Sequence, residues 1–415
     1  MQKSLDRKLA AIHADPSGCK DFILADAKDA DMAFGVGAPG KSPEMHAGEV
    51  RLRTLAEYRE QIRQITRQGL VDIMLMSASS NYQLSIVERL FENSHVTPAA
   101  RANDASDVFA VRYGKYVAEP AQPFRTALLD HIQCGHLNCE PNERALGADL
   151  GLFSCTFNNR LEDDLYTLEQ YKAFREEAEK KGFRHFLEVF DPNAPEGLSA
   201  EQVPHFINDM IARTLAGVAG PARPVFLKIV YHGPKAMEEL VAYDPHLVAG
   251  ILGGGAGTTY DAFKLLSEAK KYGARAALFG RKINNAECQL AFVEFLRRIA
   301  DAEITAEEAV KAYHGVLQHL KIKPQRSLAD DMQITTGVMS YGGSGSQVVV
   351  PAGVPKSVSK SDCGCGGPSK AKCDCHGKAH PTAKFDPNAL PDFSKMTAAE
   401  KLAWNKAKRD HVFGK

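Results

Sequence analysis

From residue 21 onward, short apolar runs alternate with stretches in which apolar residues recur every three or four positions. That alternation is the pattern of parallel strands joined by crossover helices. Eight strands are expected: DFILAD, VDIMLMS, a weaker segment at VTPAARA, LGLFSCTF, HFLEVF, VFLKIVY, LVAGIL and ARAALFG. Several are apolar almost without interruption, as required where a barrel interior covers one strand face and a helical layer covers the other. Between them, Leu55, Tyr58, Ile62 and Ile65 make one helical stripe. Leu165, Leu168, Tyr171 and Phe174 make a second, and Phe206, Met210, Ile211 and Leu215 a third, while Asn285 to Ile299 carries the clearest helical pattern. The fold expected is α/β, a (β/α)8 TIM barrel.

Residues 110–150 break the rhythm with a stretch too long for an ordinary connection, and are expected to be an insertion after the third strand. After about residue 334 the periodicity stops and Gly, Ser, Val and Pro accumulate. The domain plan is therefore an N-terminal segment (1–20), a barrel (21–334), a flexible linker (335–362), a Cys-rich patch (363–380) and a C-terminal tail (381–415). In the tail, Thr397 caps a short predicted helix with Glu400 at the capping-box position, a candidate docking element for a protein partner.

The chain has 415 residues, which one barrel of roughly 250 to 300 residues with appendages accounts for. Its 51 Lys+Arg balance 51 Asp+Glu, so no global field favours nucleic acid or an anionic membrane. No stretch reaches the roughly 18 apolar residues that span a bilayer. A soluble, cytoplasmic protein is expected. The nine cysteines do not form a secreted disulfide framework, since Cys363, Cys365, Cys373 and Cys375 crowd the tail and the rest are loosely spaced. Those four with His376 are soft ligands suited to Zn²⁺ or Cu⁺. His131, Cys134, His136 and Cys139 in HIQCGHLNC are zinc-type ligands too, at a tighter spacing than in common zinc modules. The other readings of that segment are a loop with His131 or Asp130 facing substrate, or a packed subdomain.

Two strands carry a charge among apolar residues: Glu188 in HFLEVF and Lys228 in VFLKIVY. Burying either alone costs several kcal/mol, so each requires a partner or a shifted pKa. Consecutive barrel strands are neighbours, which puts the pair within reach of each other. Both lie just before Pro-containing loops, towards the strand ends that carry the sites of barrel enzymes. A desolvated lysine attacks carbonyls to form a Schiff base, and a nearby glutamate can move the protons. The competing reading is a buried ion pair that only specifies the barrel. Beyond the seventh strand, ILGGGAGTTY supplies Gly253, Gly254, Gly255 and Gly257 for close backbone approach to an anion, with the positive end of the next helix behind them. The eighth strand ends in Gly280 and Arg281, whose guanidinium can fork onto phosphate. A plain flexible turn is the alternative.

FLEVF, FLKIVY, LGGGAGT and FGRKI together resemble the class I Schiff-base aldolases of the deoxyribose-phosphate, tagatose-bisphosphate and archaeal-type fructose-bisphosphate superfamily. The resemblance covers residues 21–300 in architecture and implies a carbon–carbon lyase, with Lys228 as the Schiff-base lysine and Glu188 as acid/base. Asp26 or Asp29 would stand for the first-strand aspartate, Asp26 being the residue taken as catalytic. Gly254, Gly255, Gly257, Gly280 and Arg281 would hold the phosphate of a small phosphorylated substrate. It also implies no cofactor and a homo-oligomer. ILADAKDADMAFG departs from the family's first strand, and Phe190 and Asp191 stand where archaeal-type enzymes place a tyrosine. Two other classes stay open: a metal-dependent barrel enzyme using the His/Cys loop, and a non-catalytic sugar-phosphate sensor.

Overall fold

The computed structural model describes residues 1–46, 49–255, 257–336 and Thr397. Eight parallel strands form a closed barrel: β1 (Ile23–Lys28), β2 (Ile73–Met76), β3 (Thr97–Arg101), β4 (Leu150–Thr156), β5 (Arg184–Phe190), β6 (Leu227–Ile229), β7 (Gly250–Leu252) and β8 (Ala276–Phe279). Each pairs with the next in sequence, and β8 closes the ring on β1. Every predicted strand segment overlaps one of them, and the weak VTPAARA run forms β3, buried throughout.

Strand alternation sorts the side chains into two cores. Ala25, Leu75, Ala99, Leu152, Phe186 and Phe226 pack together inside the barrel. Leu24, Met74, Ala100, Phe153, Leu187 and Leu227 belong to the second cluster, between strands and helices. The N-terminal segment is helix α1 (Ser4–Ala14), whose Leu5, Leu9 and Ile12 join the inner cluster. Lys3 Nζ donates to the carbonyls of Phe91, Ser94 and Val96 just before β3, so α1 closes the N-terminal end of the barrel.

The helical layer follows the sequence pattern with local shifts. Helix α2 (Leu55–Gln68) starts at a Thr54–Glu57 capping box and buries Tyr58, Ile62 and Ile65, leaving Leu55 exposed. In α3 (Leu161–Lys180) the buried face is Thr167, Tyr171, Phe174 and Ala178, and Leu165, expected inside, is exposed. In α4 (Val203–Ala216), Ile207, Ile211 and Leu215 are buried. Helix α5 (Thr259–Lys271) follows β7, and α6 (Gln289–Ala300) fills the predicted region after β8.

The insertion begins directly after β3. It holds a two-stranded ladder, Asp104–Ala105 with Pro123–Phe124, then a short helix at Leu129–Gln133 and a Cys134–Cys139 disulfide. A second hairpin, Lys41–His46 with Glu49–Leu52, follows β1 and was not foreseen. Apart from Thr397, everything expected beyond residue 336 lies outside the described residues, including the proposed metal ligands Cys363, Cys365, Cys373, Cys375 and His376. Among the described residues no helix is long and apolar enough to cross a membrane.

Candidate active site

Register places three polar side chains abreast: Ser154 on β4 opposite Glu188 on β5, and Glu188 opposite Lys228 on β6. They alternate with Leu152, Phe186 and Phe226 of the inner core and so point into the barrel. Lys228 Nζ lies 2.5 Å from Glu188 Oε1. Glu188 Oε2 accepts from Ser154 Oγ at 2.7 Å. Arg101, at the inward-facing end of β3, brings Nη2 to 3.8 Å from the same oxygen and donates from Nε to Asp29 Oδ2 at 2.7 Å. The result is a chain of alternating sign, Asp29–Arg101–Glu188–Lys228, across the C-terminal mouth.

Four ionisable groups can be buried there because each meets an opposite charge. Burial works against the Arg101 cation, yet Asp29 and Glu188 more than offset it and its pKa is raised. Asn103 fixes the strand beneath, accepting from Ser154 N at 2.7 Å and donating to Ser154 O at 2.9 Å. Beyond it, Asp107 accepts from Thr156 Oγ1 at 2.6 Å. Burial pushes its carboxyl up to about 6, with the Glu188 charge adding to the effect. His232 Nε2 and Asp191 Oδ1, after β6 and β5, are 2.8 Å apart.

Asp26 is not part of this arrangement. It alternates with Leu24 and Phe22 on the outer face of β1, fully buried, 3.4 Å from Lys28 Nζ. Lys28 donates to Gln289 Oε1 at 2.9 Å and also to Asn284 Oδ1. Burial pushes Asp26 up to about 6 despite Lys28, and depresses Lys28 itself. Of the two aspartates weighed for β1, Asp29 faces the mouth and Asp26 the helices. The sequence placed both close to the strand end, and only the pleat separates them.

The turns after β7 and β8 lie at the same end of the barrel. Gly257 sits at φ +82°, a left-handed conformation in which a side chain would be strained. A Cβ at Gly255 would come within 3.0 Å of Arg281 Nε, so the glycine lets the guanidinium lie against the turn. Arg281 also stands over the Phe34 ring at 5.4 Å. Lys282, which the sequence reading passed over, donates to Gly257 O at 2.6 Å, and burial lowers its pKa to about 8. One expectation is corrected: the N-terminus of α5 is not open to an anion. Thr258 and Asp261 form a capping box, and Thr259 N donates to Asp331 Oδ1 at 2.8 Å. An anion here would rest on the glycine backbone and Arg281.

Two clefts lie elsewhere. One of about 430 Å³ is lined by Lys3, Arg7, His95 and Arg297, and one of about 540 Å³ by Arg59, Tyr82, Gln83 and His131; neither is lined by Lys228. Asp130 is tied down by Lys181 at 2.6 Å and by Asn138 N at 3.0 Å.

No family model matches the chain, and no curated protein matches it. Among solved structures, the fructose-bisphosphate aldolase from Slackia heliotrinireducens is similar with a TM-score of 0.52 at 13% identity, covering 75% of this chain and 91% of that one. An archaeal fructose 1,6-bisphosphate aldolase gives 0.49 at 14% identity, covering 71% of this chain and 99% of that one. A deoxyribose phosphate aldolase from Aeropyrum pernix gives 0.35 at 12%, covering 71% and 95%. The likeness to the Slackia protein is one of fold: a (β/α)8 barrel.

Proposed function

We propose that this chain is a class I aldolase-type lyase in which Lys228 forms a Schiff base with a phosphorylated keto-sugar or related carbonyl compound. The observation that carries the reading is the 2.5 Å contact between Lys228 and Glu188 on the inner face of the barrel, at the strand ends that carry the sites of barrel enzymes. The fold shared with a fructose-bisphosphate aldolase supports it.

Glu188 takes the ammonium proton, and the neutral Lys228 amine attacks the substrate carbonyl carbon. The proton moves from nitrogen to the carbonyl oxygen through Glu188, giving a carbinolamine, which loses water to an iminium. A base then removes the proton of the hydroxyl on the carbon β to the iminium. The Cα–Cβ bond breaks, its electron pair enters the iminium as an enamine, and an aldehyde leaves. Protonation of the enamine and addition of water return the ketone and free Lys228. Asp107, whose carboxyl burial raises to about 6, carries its proton below that pH and serves there as a second acid over the mouth. Arg101, with Nη2 3.8 Å from Oε2, positions Glu188. Gly254, Gly255, Gly257, Gly280 and Arg281 bind the substrate phosphate, and no metal enters a step.

The test is release of an aldehyde fragment from a panel of keto-sugar phosphates, with and without a chelator. Chelator-resistant cleavage is expected. Tight binding of the panel with no cleavage in either direction would overturn the lyase reading in favour of a sensor, and turnover lost to the chelator would favour a metal-dependent enzyme.

A further inference from the structure

The loop that follows the short helix Leu129–Gln133 brings together a ligand set unconnected with Lys228. Cys134 Sγ, a ring nitrogen of His136 and a carboxylate oxygen of Glu143 all lie within 4.8 Å of one another. Cys139 is bonded to Cys134, which puts a second sulfur at the same point. Two sulfurs, an imidazole and a carboxylate are ligands that Zn²⁺ accepts in tetrahedral sites.

The surroundings hold each donor in place. His136 Nδ1 contacts Leu137 O at 2.9 Å, and donation of its proton there leaves the lone pair on Nε2, the nitrogen that faces Glu143 Oε2 at 3.4 Å. That carboxylate oxygen is anchored by Glu140 N at 3.0 Å. Gly135 and Asn138, at φ +89° and +59°, wind the chain between the two cysteines, and Asn138 N is fixed to Asp130 at 3.0 Å. Gly147 N to Gln133 O at 2.7 Å and Ala148 N to Ile132 O at 3.2 Å close the base of the loop. His136 is exposed and Glu143 half-buried, so an ion can enter from solvent.

We propose that this loop is a zinc site that oxidation closes: the reduced chain holds Zn²⁺ through Cys134, Cys139, His136 Nε2 and Glu143, and the disulfide replaces the ion in the oxidised chain. A thiol reductant supplies two electrons to the S–S bond and leaves as its own disulfide, while two protons make the Cys134 and Cys139 thiols. Zn²⁺ binding expels those two protons, since the thiolate is the ligand. Four protein ligands leave no position for water, so the ion staples the insertion and takes no part in turnover.

The test uses the full chain with Cys363, Cys365, Cys373 and Cys375 changed to Ser, reduced with a phosphine and titrated with Zn²⁺ and, as a chromophore, Co²⁺. One equivalent of metal is expected, with a thiolate-to-cobalt absorption band that Cys134→Ser/Cys139→Ser abolishes. His136→Ala and Glu143→Ala, at side chains outside the core, are expected to keep the melting temperature of the metal-free protein and to weaken Zn²⁺ by roughly tenfold or more. Reoxidation should release the ion. A reduced chain that takes up no metal, a band that survives the double serine variant, or affinity unmoved by both His136→Ala and Glu143→Ala would overturn the site.

Discussion

Two lysines on the strands of this barrel are buried beside a carboxylate, and they point to opposite faces. Lys228 points inward at the C-terminal mouth, 2.5 Å from Glu188 and 7% exposed. Lys28 points outward from β1, 3.4 Å from Asp26, with no exposed surface, sealed by Asn284 and Gln289. Both pairs offset the cost of burying charge. Burial and a partner are thus properties of either role, and what separates them is the strand face and access to the mouth. Glu188 also touches Ser154 and Arg101, each of which can reposition it when the lysine reacts, whereas both Asp26 oxygens lack a hydrogen bond in the structure.

The contrast can be broken by substitution. Lys228→Met should abolish turnover, a fall of at least about a thousandfold given that proton transfer alone contributes roughly 10²–10⁴. The melting temperature should change little, because Glu188 keeps Arg101 and Ser154. Glu188→Gln should lower kcat by roughly 10²–10⁴ while still allowing slow adduct formation at Lys228. Steady-state kinetics check both. Lys28→Met should do the opposite: about 3–5 kcal/mol lost in urea unfolding, because Asp26 is left buried without its partner, with kcat of the folded enzyme unchanged. A kinetic defect there at full stability would mean the outer pair is functional and the comparison misdrawn.

The smallest effect concerns pH. Asp107 has a folded-state pKa raised from 3.8 to about 6, so the folded chain binds this proton more tightly than the unfolded one. The contribution is intact below the unfolded value and is lost as pH rises through the folded one. Relative to Asp107→Asn, the parent should therefore lose up to about 3 kcal/mol between about pH 4 and pH 6.5. Denaturant unfolding of both across that range measures the difference. A gap that does not vary with pH would contradict a raised Asp107 carboxyl.

The barrel was legible because its strands are apolar on both faces and bounded by breakers, and because one charge interrupting such a run stands out, as at Glu188 and Lys228. Face was not legible on β1. In ILADAKDAD the small alanines fit either core, so nothing in the composition tells Asp26 from Asp29. Arg101 went unremarked because VTPAARA is short and carries a proline, although an arginine closing a buried strand is the same signal as Lys228. The role of α1 was visible in principle, since Leu5, Leu9 and Ile12 recur at helical spacing. The occupied N-terminus of α5 depends on Asp331, distant in sequence from Thr259, and no local pattern reveals such a contact.

The central claim is that Lys228, not Lys28 or another lysine, is the nucleophile. Borohydride reduction in the presence of a cleaved keto-sugar phosphate, followed by peptide mass mapping, tests it directly. The account predicts one stable adduct, on the peptide containing Lys228, absent in Lys228→Met and present in Lys28→Met. An adduct on any other lysine, or none with a substrate that the enzyme demonstrably cleaves, would contradict it.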